Sequence, residues 1–131
     1  MSVPGNVESS PSLRPLVVKC TAGAEAPERC AQAFTVAATA LAAGSAVSMW
    51  LTGDAVWFAV AGHAERFELP HSAPLADLRD LIVADGTLTV CTQCAARRGL
   101  TGADLLPGVR IAGSASFVAE ALAPDAQALV Y

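Results

Sequence analysis

Short apolar runs of strand length alternate along this chain with stretches whose apolar residues recur every three or four positions, and few folds accommodate that alternation. The runs are Leu16–Cys20, Ala46–Leu51, Leu88–Val90, Val109–Ile111 and Ala128–Val130. They are almost continuously apolar instead of alternating apolar with polar, the signature of strands covered on both faces. Parallel strands need long crossovers, normally helices, and those helices supply the cover. The sequence therefore predicts a single-domain three-layer α/β/α sandwich on a five-stranded, mostly parallel sheet.

Between the runs, Cys30, Phe34, Ala37, Ala38 and Leu41 share one face of a helix predicted over Glu28 to Ala43, with Gly44 as its stop. A second helix is predicted over Ala55 to Ala61, with Thr52 as N-cap and Asp54 near the positive helix end. His63 to Ser72 reads as a polar loop. Leu75, Leu78, Leu81 and Ile82 mark a further helix ended by Gly86, and Thr92 to Arg98 a short one ended by Gly99. Thr101 to Leu105 reads as one more turn, capped by Thr101 with Asp104 at the third position, and Ser114 to Leu122 as the last helix. Residues 1–14, rich in Ser and Pro, are expected to be a disordered tail, leaving 15–131 as the domain.

Composition removes several functional classes. Eight basic residues against twelve acidic ones give a net charge of −4, with no basic cluster to attract nucleic acid or an anionic membrane. The longest apolar-looking stretch, Ala31 to Leu51, carries Gln32, Thr35 and Thr39 and breaks at Gly44-Ser45, whereas a membrane span needs about 20 uninterrupted apolar residues. No charged start followed by an apolar run marks a secretory signal. The four cysteines, Cys20, Cys30, Cys91 and Cys94, are thus expected as reduced thiols of a cytoplasmic protein.

In an open α/β sheet, chemistry gathers beyond the carboxyl ends of the strands. The residues there are Cys20 to Gly23, Thr52 to Asp54 and Cys91 to Cys94. Cys91-Thr92-Gln93-Cys94 is the most informative segment, because it places a thiol at a strand-to-helix junction. Unpaired N–H groups and the helix dipole favour thiolate over thiol there, and the thiolate is the form that attacks sulfur. Cys94 follows one helical turn later, where it could resolve an intermediate on Cys91 as a disulfide or simply pack. Cys20 reaches the same site only if the first and third strands are neighbours, and otherwise is a core residue, as Cys30 is. Arg97 and Arg98 either steer an anionic sulfur donor or complement the helix end. His63 and His71 lie in a long loop with no zinc-finger spacing, so no metal is expected. The turn after the first strand lacks nucleotide-binding glycine patterns, so no cofactor is expected either.

Leu16-Val17-Val18-Lys19-Cys20-Thr21, Val47 to Val56 with its Leu51-Thr52-Gly53-Asp54-Ala55-Val56, and Thr89 to Leu100 with its Cys91-x-x-Cys94-x-x-x-Arg98-Gly99 follow one another in that order. From Leu16 to Tyr131 this succession resembles the DsrE-like (DsrE/DsrF/DsrH) family of small sulfur-relay proteins. The resemblance implies a five-stranded parallel sheet in a three-layer sandwich, assembled as a homotrimer or homohexamer. It also implies sulfur transfer through a cysteine persulfide at the end of the third strand, which here is Cys91.

Three functional readings follow. In the first, the protein is a sulfurtransferase or sulfur carrier that takes sulfur onto Cys91 from donor proteins or small persulfides and passes it to acceptors. Cys20, Thr21, Thr52 and Asp54 then belong to the rim of the site. In the second, Cys91 and Cys94 cycle between dithiol and disulfide. In the third, the chain is a non-catalytic oligomeric binding subunit.

Overall fold

The strands β1 (Leu16–Cys20), β2 (Val47–Leu51), β3 (Thr87–Cys91), β4 (Arg110–Ala112) and β5 (Gln127–Val130) form one sheet in the order β4-β3-β2-β1-β5. Every pairing is parallel, with Val18 opposite Met49, Leu51 opposite Val90 and Cys91 opposite Ala112. The chain steps from β1 to β4 across one half of the sheet and then returns to place β5 on the other side of β1. The computed structural model describes residues 13–131. Of the segment expected as a tail, residues 1–12 lie outside the described residues. Arg14 is tied to the far end of the domain, donating to the carbonyls of Asp125 (3.0 Å) and Ala126 (3.3 Å).

The side-chain alternation of the strands sorts the sheet into two faces. Val18, Cys20, Val47, Met49, Leu51, Leu88 and Val90 meet α1 (Pro27–Ala42) and α2 (Leu75–Asp85), and this side holds the main core. Helix α1 begins on Pro27, whose missing N–H costs nothing in a first turn, and carries Glu28 near its positive end. Its inward face is mostly small: Ala33 and Ala37 are fully buried beside Phe34 and Cys30, which lets the helix lie close to the sheet. Phe34 meets Phe58 edge-on at 6.2 Å, and Phe58 meets Phe67 at 5.5 Å. Burying a side chain of this size stabilises the fold by about 1.5–3 kcal/mol.

The opposite face is covered by α4 (Ser114–Ala121). Phe117 packs edge-on against Trp50 at 5.5 Å, and the Lys19 ammonium stands 4.7 Å over the Phe117 ring. The Glu120 carboxylate accepts from the indole of Trp50 at 2.9 Å and from Arg110 at 2.6 Å. Arg110 in turn donates to Thr89, which is fully buried. Aromatic stacking and a charged hydrogen-bond network, not a broad aliphatic surface, hold this layer.

Two local expectations are corrected. The segment after β2 is a 3-10 helix over Gly53–Ala59, not an α-helix over Ala55 to Ala61. Thr52 does not cap it with its side chain, since the hydroxyl reaches only the Cys20 carbonyl at 3.5 Å. The Thr52 carbonyl, accepting from Ala55 N–H at 3.1 Å, starts the turn instead. The His63–Ser72 segment also contains a 3-10 turn over Ala64–Arg66. Its Glu65 pairs with Arg79 of α2 at 2.7 Å, and the Arg79 side chain is only 3% exposed, a buried cation that the helical pattern does not betray.

Candidate functional site

Strand β3 delivers Cys91 to the carboxyl edge of the sheet, and the chain turns there directly into α3 (Thr92–Arg97), with Cys91 as the N-cap residue in extended backbone. Parity with the fully buried Thr89 puts the Cys91 side chain on the sheet face that α4 covers. That face also carries Lys19, at the end of β1. Helix α3 closes as a Schellman turn, with Leu100 N–H on the Ala95 carbonyl (2.9 Å) and Gly99 N–H on that of Ala96 (3.1 Å). Gly99 accommodates the φ of +69° which that turn requires.

The Cys91 thiol is half-buried, with Sγ 3.3 Å from Gln93 Oε1. Burial pushes its pKa up, but the Cys94 backbone N–H, the Cys94 thiol, the Gln93 backbone N–H and the charge of Lys19 together hold it below the ordinary thiol value. The net result is a thiolate-favouring environment on a sulfur that a partner can still reach.

Cys94 is placed differently. It is 9% exposed, and its Sγ accepts the Gly53 backbone N–H at 3.2 Å, with the Arg97 guanidinium at 3.9 Å. Gly53 has φ +55°, and a Cβ there would stand 2.9 Å from the Thr21 carbonyl, so only glycine brings this amide onto the sulfur without strain. Arg98 locks the arrangement. It donates to the Asp54 carboxylate from Nε (3.1 Å) and Nη2 (2.7 Å), and to the Cys94 carbonyl from Nη1 (3.0 Å). The turn after β2 and the start of α3 are thereby fastened together.

The structure thus brings Thr52-Gly53-Asp54 and Cys91 to Cys94 into one site, with the backbone of the turn after β1 packed against Gly53 and Asp54. Strand β2 lies between β1 and β3, so Cys20 is not beside Cys91. Cys20 is fully buried on the α1 side, donating to the Ala22 carbonyl at 3.2 Å. Its neighbour there is Cys30. Hydrogen bonding from Cys30 lowers the Cys20 thiol, while the same contact and burial push Cys30 up; both side chains are fully buried in the core. Thr21 turns toward β5, its hydroxyl donating to the Tyr131 carbonyl at 2.7 Å. Asp54 stands at the rim, but its charge is committed to Arg98.

Asp54 also borders a cavity of about 320 Å³ lined by Glu25, Trp57, Phe58, His63 and Arg66, in which Trp57 and His63 stack at 5.2 Å. His63 is therefore a wall residue of that cavity. Among the described residues, no group of three or more His, Cys, Asp or Glu side chains is arranged to hold a metal ion. Three contributors escape sequence inspection: Lys19, Gly53 as a donor to sulfur, and Arg98 as the link to Asp54. The Thr-Gly-Asp turn signals a special backbone at Gly53, but nothing in the linear sequence says which sulfur it faces.

The model of the DsrE/DsrF-like family matches residues 16–127. Among solved structures, the chain is similar to the YchN protein from E. coli, with a TM-score of 0.75 and 16% identity over 91% of this chain and 100% of that one. It is also similar to MTH1491, a protein of unknown function from Methanobacterium thermoautotrophicum, with a TM-score of 0.62 and 14% identity over 90% of this chain and 99% of that one. At such identities the two structures speak for the fold alone. None of the curated proteins compared matches the chain. The family match takes in every strand up to the start of β5 and both segments that build the thiol site: the chain belongs to the DsrE/DsrF-like family.

Proposed function

We propose that this protein is a sulfur-relay protein that carries sulfane sulfur as a persulfide on Cys91. The observation that carries the reading is the setting of that one sulfur: half-exposed at the carboxyl edge of the sheet, with amide hydrogens, a second thiol and a lysine charge all favouring its anion. Membership of a family of sulfur-relay type supports it.

The chemistry is two displacements at sulfur. The Cys91 thiolate attacks the outer sulfur of a donor persulfide, R–S–SH. The donor S–S bond breaks, R–S⁻ leaves, and the outer sulfur stays with its proton as Cys91–S–SH. An acceptor thiolate then attacks that terminal sulfur and returns Cys91 as the thiolate. No electrons are gained or lost overall, so relay needs neither cofactor nor metal. Donors and acceptors are proteins or small persulfides that meet Cys91 over the Thr52–Asp54 rim. A reducing cytoplasm suits a chain whose four cysteines are all free. No helix among the described residues is long and apolar enough to cross a membrane. Exposed Val118 (49%) and Leu122 (79%) around α4 support assembly as a homotrimer or homohexamer, which light scattering on the purified chain reads directly.

Intact-mass measurement after treatment with a small persulfide tests the reading. The Cys94→Ser chain gains one sulfur atom, and the Cys91→Ser chain gains none. Sulfur uptake by Cys91→Ser equal to that of Cys94→Ser overturns it. Full cellular function of a variant lacking both thiols favours a non-catalytic binding subunit instead.

A further inference from the structure

Relay explains why Cys91 is reactive but gives no task to Cys94, and the surroundings of Cys94 are too particular for a packing residue. Its sulfur receives a backbone amide at 3.2 Å from a glycine held at positive φ, it has a guanidinium at 3.9 Å, and it lies in the first turn of the helix that Cys91 caps. Contrast the other buried thiols: Cys20 gives its proton to the Ala22 carbonyl at 3.2 Å, and neither Cys20 nor Cys30 lies near a cation among the described contacts. Donors aimed at a sulfur stabilise negative charge on it, the charge a thiol acquires as it becomes a nucleophile. Cys94 is also shielded from solvent, so the one electrophile within its reach is whatever Cys91 carries.

We propose that Cys94 is a resolving thiol, which discharges the Cys91 persulfide as hydrosulfide and leaves a Cys91–Cys94 disulfide when no acceptor engages Cys91. The inference rests on the relay reading, because it needs the Cys91 persulfide as its substrate. Cys94 sulfur attacks the inner sulfur, that of Cys91 itself. The bond between Cys91 Sγ and the terminal sulfur breaks, and the terminal sulfur departs as HS⁻ with the proton it already carries, while the proton that Cys94 gives up passes to solvent. The sulfane sulfur is reduced to sulfide, and the two protein thiols supply the two electrons by becoming a disulfide. An external low-molecular-weight or protein dithiol restores them by exchange. The spacing permits the bond, since residues three apart at a helix start are neighbours on one face.

The protein thus has two exits for one bound sulfur. With an acceptor thiol at the rim, the exposed terminal sulfur is taken intact. Without one, Cys94 converts the load to free sulfide, so small organic persulfides become substrates of a reductive reaction. The Asp54–Arg98 pair is the positioning element, because it fastens the loop that carries Gly53 to the helix that carries Cys94.

The test is one equivalent of glutathione persulfide added to the reduced full chain, with hydrosulfide read by electrode and intact mass read without reductant. Wild type is expected to release one hydrosulfide per chain and to end lighter by two hydrogens. Cys94→Ser and Cys94→Ala are both expected to release none and to keep one added sulfur atom; two variants guard against a folding defect in either. If wild type and both variants all keep the added sulfur and release no sulfide, Cys94 does not resolve, and relay alone stands. If the Cys94 variants release as much hydrosulfide as wild type, or carry a glutathionyl group in place of one sulfur, the proposal is overturned as well. If neither wild type nor variants acquire sulfur at Cys91 or release sulfide, the relay reading itself has failed.

Discussion

Glu120 is the residue on which the α4 layer depends. Its carboxylate accepts from Trp50, Ser48 and Arg110 at once, and Trp50 is 2% exposed. Replacing Glu120 by Ala leaves the buried indole N–H without an acceptor, which costs about 1–3 kcal/mol. Losing the Arg110 pair, whose side chains are 41% and 26% exposed, adds about 0.5 kcal/mol. Ser48 is only partly buried and recovers a water. The sum is about 1.5–3.5 kcal/mol, or a fall of roughly 5–15 °C in Tm for a domain of this size. Glu120→Gln keeps an acceptor for Trp50 and gives up only charge, so its loss is about 1 kcal/mol. Thermal and urea unfolding of both variants measure these values. The pH dependence supplies a second check. Burial raises the Glu120 pKa, but the bonds from Ser48, Trp50 and Arg110 outweigh it and hold the group below the ordinary carboxylate value. Its contribution is therefore present above that ordinary value and lost as pH falls through the lowered one, where wild type and Glu120→Gln converge. Equal destabilisation by Ala and Gln, or a fall in Tm under about 2 °C for Ala, would refute the reasoning.

Gly53→Ala is expected to cost about 2 kcal/mol or more, from positive φ and from a Cβ 2.9 Å from the Thr21 carbonyl. Urea unfolding shows the loss. An unchanged unfolding midpoint contradicts this. For Glu65, hydrogen bonding to Arg79 lowers the pKa from 4.5 to about 2. A buried group so shifted would contribute about 3 kcal/mol. Glu65 is 49% exposed, and solvent screening reduces this to about 1 kcal/mol. Glu65→Gln should thus cost about 1 kcal/mol at neutral pH in chemical unfolding, a difference that is full above pH 4.5 and fades as pH falls through about 2. A pH-independent difference contradicts the assignment.

Periodicity made most of the fold legible. Apolar runs located β1, β2 and β3 to within a residue or two at each end, and the Cys30–Phe34–Ala37–Leu41 spacing located α1. The segment after β2 misled because Gly53 takes positive φ and Thr52 caps through its carbonyl, so the chain tightens into 3-10 turns where composition reads as α-helix. Strand order is a tertiary property and left no local trace. The linear sequence therefore leaves Cys20 open as a rim residue, whereas β2 lies between β1 and β3 in the sheet. Cys91 was readable because a strand-to-helix junction fixes its surroundings through backbone alone. The role of Gly53, Lys19 and Arg98 depends on contacts between segments 41, 72 and 44 residues apart from Cys94, Cys91 and Asp54 respectively, and no short-range pattern reports those. Arg79 escaped notice for the same reason, since its partner Glu65 sits in a loop that reads as merely polar.

Everything proposed for the site requires that Cys91 ionise more readily than an ordinary cysteine. The rate of iodoacetamide labelling against pH, followed by mass mapping of the modified residue, measures this on the unmodified chain. Labelling should fall first on Cys91, with a midpoint below the ordinary cysteine value of about 8.5, while Cys20 and Cys30 stay unlabelled in the folded protein. A Cys91 midpoint at or above that value, or first labelling at any other cysteine, contradicts the account.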